Sequence, residues 1–250
     1  MCFPILAVVG QTEQMDTSYR HERVRVDGER LIDVAASNLS AAVPSCPEWT
    51  NTELLTHMVR VWHMLALFAE HQPQGFPDRE LFPAKPEPGE EVAAARVALQ
   101  HALEAFAALP TGVEMWSWAQ TQSSDYFHRR IHLETLVHRI DAEQAAGLAS
   151  EIDPEEAADA VDERFVEFLP LREGRPAGSL HVHRTDGAGE WTMQVRDDSI
   201  VVACDHAKGD AAARGSATEL MLAVWGRAGL KQLETFGDSA LIEEWFALTR

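Results

Sequence analysis

The sequence predicts a mainly α protein of two domains, an up-down helical bundle followed by a small α+β unit. Three observations lead there. Apolar residues recur at helical spacing, with cap signals, from Met15 to about Pro170, and a period-two alternation replaces them after Gly178. Residues 72 to 88 carry Pro73, Pro77, Pro83, Pro86 and Pro88, which no helix or central strand sustains, so they form a loop. A chain of 250 residues is long enough for one large core or two small ones.

Residues 1 to 14 read as an extension ahead of the first helix. Their apolar run, Phe3 to Val9, lacks the basic region and cleavage site of a signal peptide and is too short to span a bilayer. Val24, Val26, Leu31, Ile32, Val34 and Leu39 mark a first helix from about Thr17 to Ala42, with Gly28 an uncommon residue in its middle. A Pro-bounded turn leads to Thr50 and Glu53, at capping-box spacing, which open a second helix to about Glu70. An alanine-rich third helix fits Glu90 to Leu109, and a fourth runs from about Ser123 to Ala146 and stops at Gly147. Asp153-Pro154-Glu155-Glu156 starts a fifth that ends near Pro170. Beyond it, Leu180 and Val182, then Trp191, Met193 and Val195, alternate across an Asp186-Gly187-Ala188-Gly189 turn, and Ile200 to Cys204 reads as a third strand. Ser216 with Glu219, and Asp238, cap two last helices. The expected division is a bundle over residues 15–172 and an α+β unit over 173–250.

Forty acidic residues against 21 basic give a net charge of -19, which repels phosphate backbones and anionic bilayers. Neither nucleic acid nor membrane is expected as a partner. Cys2, Cys46 and Cys204 lack CxxC spacing, which argues against a disulfide framework or an all-cysteine zinc site and for a reducing cytoplasm. Cys46, just before the second helix, offers a different enzyme hypothesis, a thiol acidified by the helix dipole, but Pro47 to Thr50 separate it from the first turn and no histidine neighbour is implied, so it reads as a buried or semi-buried structural residue.

Glu134 and His138, four apart on the fourth helix, share a face with Phe127 and Ile131, which lie within about 60° of them on a helical wheel. His128 and His132 fall on the opposite arc with Thr135 and Arg139 and are expected in solvent. On the second helix His57 aligns with Leu54, Val61, Met64 and Phe68, whereas His63 sits beside Thr56 and Glu70. An inward Glu134 needs a cation, a donor network or a proton. A divalent metal held by His57, Glu134 and His138 answers this, with the open fourth position of catalytic zinc sites. Two-His-one-carboxylate sets also suit other divalent ions, including iron. The alternative is a hydrogen-bonded core His57 with Glu134 paired to His138 or an arginine. Asp141 is a candidate partner for His138.

Two segments carry a family resemblance. Val43-Pro-Ser-Cys-Pro-Glu-Trp-Thr50 with Leu54-Leu-Thr-His57, and His132-Leu-Glu-Thr-Leu-Val-His-Arg-Ile-Asp-Ala-Glu143, resemble the metal signatures of the mycothiol-dependent maleylpyruvate isomerases, whose N-terminal half is DinB-like. Leu180-His-Val-His-Arg-Thr-Asp-Gly-Ala-Gly-Glu-Trp191, His206-Ala-Lys-Gly-Asp210 and Val224-Trp-Gly-Arg227 resemble that family's sterol-carrier-like C-terminal domain. The resemblance spans Met15 to Arg250. It departs after His57, where Met58-Val59-Arg60-Val61-Trp62 replaces a Gly-rich turn and His63 stands six residues on rather than five.

The resemblance implies a zinc enzyme with mycothiol as thiol cosubstrate and a small, anionic substrate. Zinc-bound thiolate would add to a cis double bond, allow rotation and leave, giving cis-trans isomerisation; in the alternative it stays attached, as in a thiol S-transferase. Arg227 is the candidate catalytic cation for a substrate carboxylate, because arginine holds carboxylates bidentately. A contact with carbonyls at its helix end is the other role open to it. A non-catalytic metal-stabilised interaction protein is the remaining class.

Overall fold

The computed structural model describes residues 15–77, 82 and 84–250; the extension expected over residues 1–14 lies outside them. The described chain divides into two compact units, Met15–Glu151 and Ile152–Arg250.

In the first unit, helices α1 (Thr17–Ser37), α2 (Asn51–His71), α3 (Glu91–Ala108) and α4 (Ser124–Ala145) form a bundle. α1 packs on α4 and α3, and α2 packs on α3 and α4, so α1 and α2 lie across a diagonal. The local signals explain the boundaries. Asp16 caps α1 and Ser123 caps α4, each accepting from a backbone N–H two residues on. The capping box of α2 forms between Thr50 and Glu53. α1 stops at Ser37, short of the expected Ala42, because the next residues turn back: Ala42 bridges Thr50, and the Asn51 N–H donates to the Ala41 carbonyl at 3.0 Å. Gly28, inside α1, is buried and faces Leu99 of α3.

The second unit opens with α5 (Pro154–Asp162), whose path continues through a π-helical segment, Glu163–Phe168, and a 3-10 turn, Leu169–Leu171. A five-stranded sheet follows in the order β3-β2-β1-β4-β5, with β1 Leu180–Arg184, β2 Glu190–Arg196, β3 Ser199–Ala203, β4 Ala211–Gly215 and β5 Glu234–Phe236. β1 pairs parallel with β4, and the other pairings are antiparallel. β4 and β5 are absent from the expectation. Ala211-Ala212-Ala213 has poor strand propensity and shows no alternation, and β5 has three residues, all exposed. α6 (Ala217–Val224) and α7 (Ser239–Ala247) complete the unit.

Leu180, Val182, Trp191 and Met193 turn to the core with Phe165 and Phe246. Where the expectation carried the bundle to residue 172, α5 instead packs on α6. The contacts explain it. Arg184, 1% exposed, donates to both Glu155 oxygens at 2.7 and 3.1 Å and to Asp186 at 2.8 Å, tying the first turn of α5 to the β1–β2 hairpin. Trp191 and Trp225 donate from their indoles to the Asp162 carboxylate and the Ala160 carbonyl. Among the described residues, no helix is long and apolar enough to cross a membrane.

Candidate metal centre

The bundle brings His57 of α2 together with Glu134 and His138 of α4, their candidate ligand atoms all within 4.8 Å of one another. One helical turn separates Glu134 from His138, and Nε2 of His138 lies 3.2 Å from one Glu134 oxygen. His57 meets His138 edge to face, ring centroids 4.8 Å apart.

The partners behind these groups set their chemistry. His138 Nδ1 lies 2.8 Å from Asp141, which is fully buried and accepts a second bond from the Ser45 hydroxyl at 2.5 Å. With Nδ1 donating to Asp141, Nε2 is the nitrogen of His138 that faces Glu134, as a lone pair on the neutral ring or as a donor on the imidazolium. Nε2 stands against a carboxylate oxygen. Two acceptors at this distance need a proton or a metal cation to share. The other Glu134 oxygen pairs with Arg130, one turn earlier on the same helix, so the carboxylate is neutralised on one side and offered on the other. The ring of Trp49 stands 4.9 Å from His57 and 6.4 Å from His138 and covers the imidazoles.

The Pro-bounded turn delivers both Ser45 and Trp49. Its backbone is closed by Val43 N–H to the Trp49 carbonyl at 2.9 Å and by Trp49 N–H to the Cys46 carbonyl at 2.8 Å. Cys46 itself is half-buried. The sequence left open a pairing of Glu134 with His138 or an arginine, and both are present, the arginine being Arg130 at four-residue spacing; nothing local announced Ser45.

His128 and His132 correct the expectation of solvent, being 2% and 0% exposed. The cause is that α1 covers that arc of α4. His128 Nδ1 lies 3.0 Å from His21, His132 Nδ1 lies 3.2 Å from Arg20, and Arg139 reaches Asp27 at 3.1 Å. Burial, and next the charge of His21, pushes the His128 pKa down to about 4. His63 turns to α3, its Nδ1 2.9 Å from that of His101, and burial followed by the His101 charge lowers its pKa. In the second unit, Arg227 follows α6 and donates to the Trp225 carbonyl at 2.7 Å, the helix-end contact open to it.

Comparison with known proteins agrees with this architecture. The family model of the mycothiol maleylpyruvate isomerase N-terminal domain matches residues 21–143, and that of the same family's C-terminal domain matches residues 155–244. Two crystal structures of a mycothiol-dependent maleylpyruvate isomerase, one of them a histidine-to-alanine mutant, share the fold. They superpose with TM-scores of 0.57 and 0.58 at 10% identity, covering 88% of this chain and 93% of theirs. No curated protein matches the chain by sequence.

Proposed function

Because the chain belongs to the mycothiol-dependent maleylpyruvate isomerase family, and so to a family of enzymes, we propose that it is a metal-dependent isomerase whose ion, zinc, is held by His57, Glu134 and His138. The observation that carries this reading is the convergence of His57, Glu134 and His138, their ligand atoms within 4.8 Å of one another and His138 Nε2 3.2 Å from a Glu134 oxygen.

When bound, zinc supplies a Lewis-acid position at which a thiol with a free pKa of about 8.5 is held as thiolate. Three protein ligands leave that position open. The chain's own groups prepare it. Asp141 fixes the His138 tautomer, Ser45 fixes Asp141, Arg130 steadies Glu134, and Trp49 keeps bulk water from one side of the imidazoles. The substrate on this reading is a small cis-enedione acid of the maleylpyruvate type, isomerised by reversible thiol addition with mycothiol as cosubstrate. Arg227 is the proposed anchor for its carboxylate, on the strength of arginine's bidentate geometry.

The test compares the purified protein with His57→Ala and Arg227→Ala. The wild type is expected to isomerise maleylpyruvate only when mycothiol is present. His57→Ala is expected to lose one equivalent of metal and this activity, and Arg227→Ala to raise KM. Full metal content in His57→Ala would reject the site, and accumulation of a stable thiol conjugate would convert the reading to an S-transferase.

A further inference from the structure

The α+β unit holds a second group of metal-ligating side chains that the first site does not use. Period-two alternation places His181 and His183 on one face of β1, opposite the core-facing Leu180 and Val182. His183 pairs in register with Glu190 of β2, and cross-strand partners hold their side chains in contact. Candidate ligand atoms of His181, His183 and Glu190 lie within 4.8 Å of one another. His206, on the loop after β3, approaches the same carboxylate.

Three imidazoles therefore crowd one carboxylate. His183 Nδ1 is 2.9 Å from one Glu190 oxygen, and His206 Nδ1 is 2.7 Å from the other. His181 is the odd member. It is 9% exposed, and its buried Nε2 stands 3.4 Å from Glu190 without the geometry of a hydrogen bond and has no other partner among the described residues. A buried polar nitrogen left unsatisfied is destabilising, because folding removes its water without supplying a partner. Ligands around a tetrahedral zinc, at about 2.0–2.2 Å from the ion, sit roughly 3.3–3.6 Å apart; the 3.4 Å between His181 Nε2 and Glu190 has that spacing, while His183 and His206 stand at hydrogen-bond distance from the carboxylate.

We propose that His181, His183 and Glu190 bind a second divalent transition metal ion in the α+β unit, with His206 closing the fourth position. A donor set of imidazoles with one carboxylate selects zinc-class ions over calcium or magnesium, which take oxygen ligands. Four protein ligands make a closed site, the form that zinc takes when it fastens structure. Here it fastens the β1–β2 hairpin to the loop that carries His206. The proposal does not depend on the bundle site, which lies on other elements.

The test uses the full chain with the bundle site removed, His57→Ala with His138→Ala, stripped of metal and titrated with zinc by calorimetry, and with cobalt by visible absorption. One equivalent of zinc, with a cobalt spectrum of nitrogen–oxygen ligation, is expected. Adding His181→Ala and His183→Ala is expected to abolish binding. His206→Ala, at an exposed side chain, and Glu190→Gln are each expected to weaken binding at least tenfold with the far-UV circular dichroism unchanged. No zinc bound by the bundle-site variant overturns the proposal, as does binding unchanged by His206→Ala and Glu190→Gln together.

Discussion

At Glu134 one carboxylate serves two partners, Arg130 through one oxygen and Nε2 of His138 through the other. The residue's place in the sequence revealed its face but not this division. Asp141 matters because it decides which nitrogen of His138 is available. Asp141→Asn removes the negative charge that makes the ligand basic, and a metal affinity lower by roughly 10–100-fold is expected in competition with a chelator; an unchanged affinity would show that Asp141 serves packing alone. His128 gives a pH prediction. Its pKa falls from 6.5 to about 4 in the fold, chiefly through burial and next through the charge of His21. Between those values the unfolded chain binds the proton that the folded chain refuses. The stability it contributes is therefore present above pH 6.5 and is lost as pH falls toward about 4. Urea midpoints of the wild type should drop more steeply over that window than those of His128→Gln, and parallel profiles would count against a neutral buried imidazole.

At the scale of elements, helices were legible because caps and 3.6-residue spacing are local: α2 and α4 begin within a residue or so of their expected starts. A wheel shows which side chains share a face. It does not show how many faces are covered. α4 is packed by α1 on one side and α2 on another, and so the arc holding His128, His132 and Arg139 is as buried as the arc of Glu134 and His138. Gly28 follows the same logic. It weakened the case for a helix on propensity grounds, yet a Cβ there would meet the Leu99 methyl groups at 2.7 and 2.8 Å, so glycine is what lets α1 approach α3. Gly28→Val is expected to destabilise the protein by about 1–3 kcal/mol through overpacking, measured as a lower urea midpoint at unchanged slope. An unaltered midpoint would mean that the two helices part at no cost.

At the scale of the whole molecule, each of the two compact units has its own core and its own cluster of histidines around a glutamate. Together the two metal proposals anticipate two ions per chain, lost separately by substitutions in separate units. The net charge of -19 suits small-molecule chemistry and a metal cation better than any polyanionic partner. Composition, periodicity and caps were sufficient for the mainly helical two-part plan and for the shared inward face of Glu134 and His138, since these are properties of neighbours along the chain. Helical spacing also turned His57 inward from a different helix, but that its imidazole meets the α4 pair is a matter of packing. Packing likewise assigned α5 to the sheet through Arg184 and Glu155, set the alanine-rich β4 beside β1, buried His132, and brought Ser45 under Asp141. Each of these joins residues far apart in sequence, and such contacts are selected by the shape and charge of the surface that arrives, about which local periodicity carries no information.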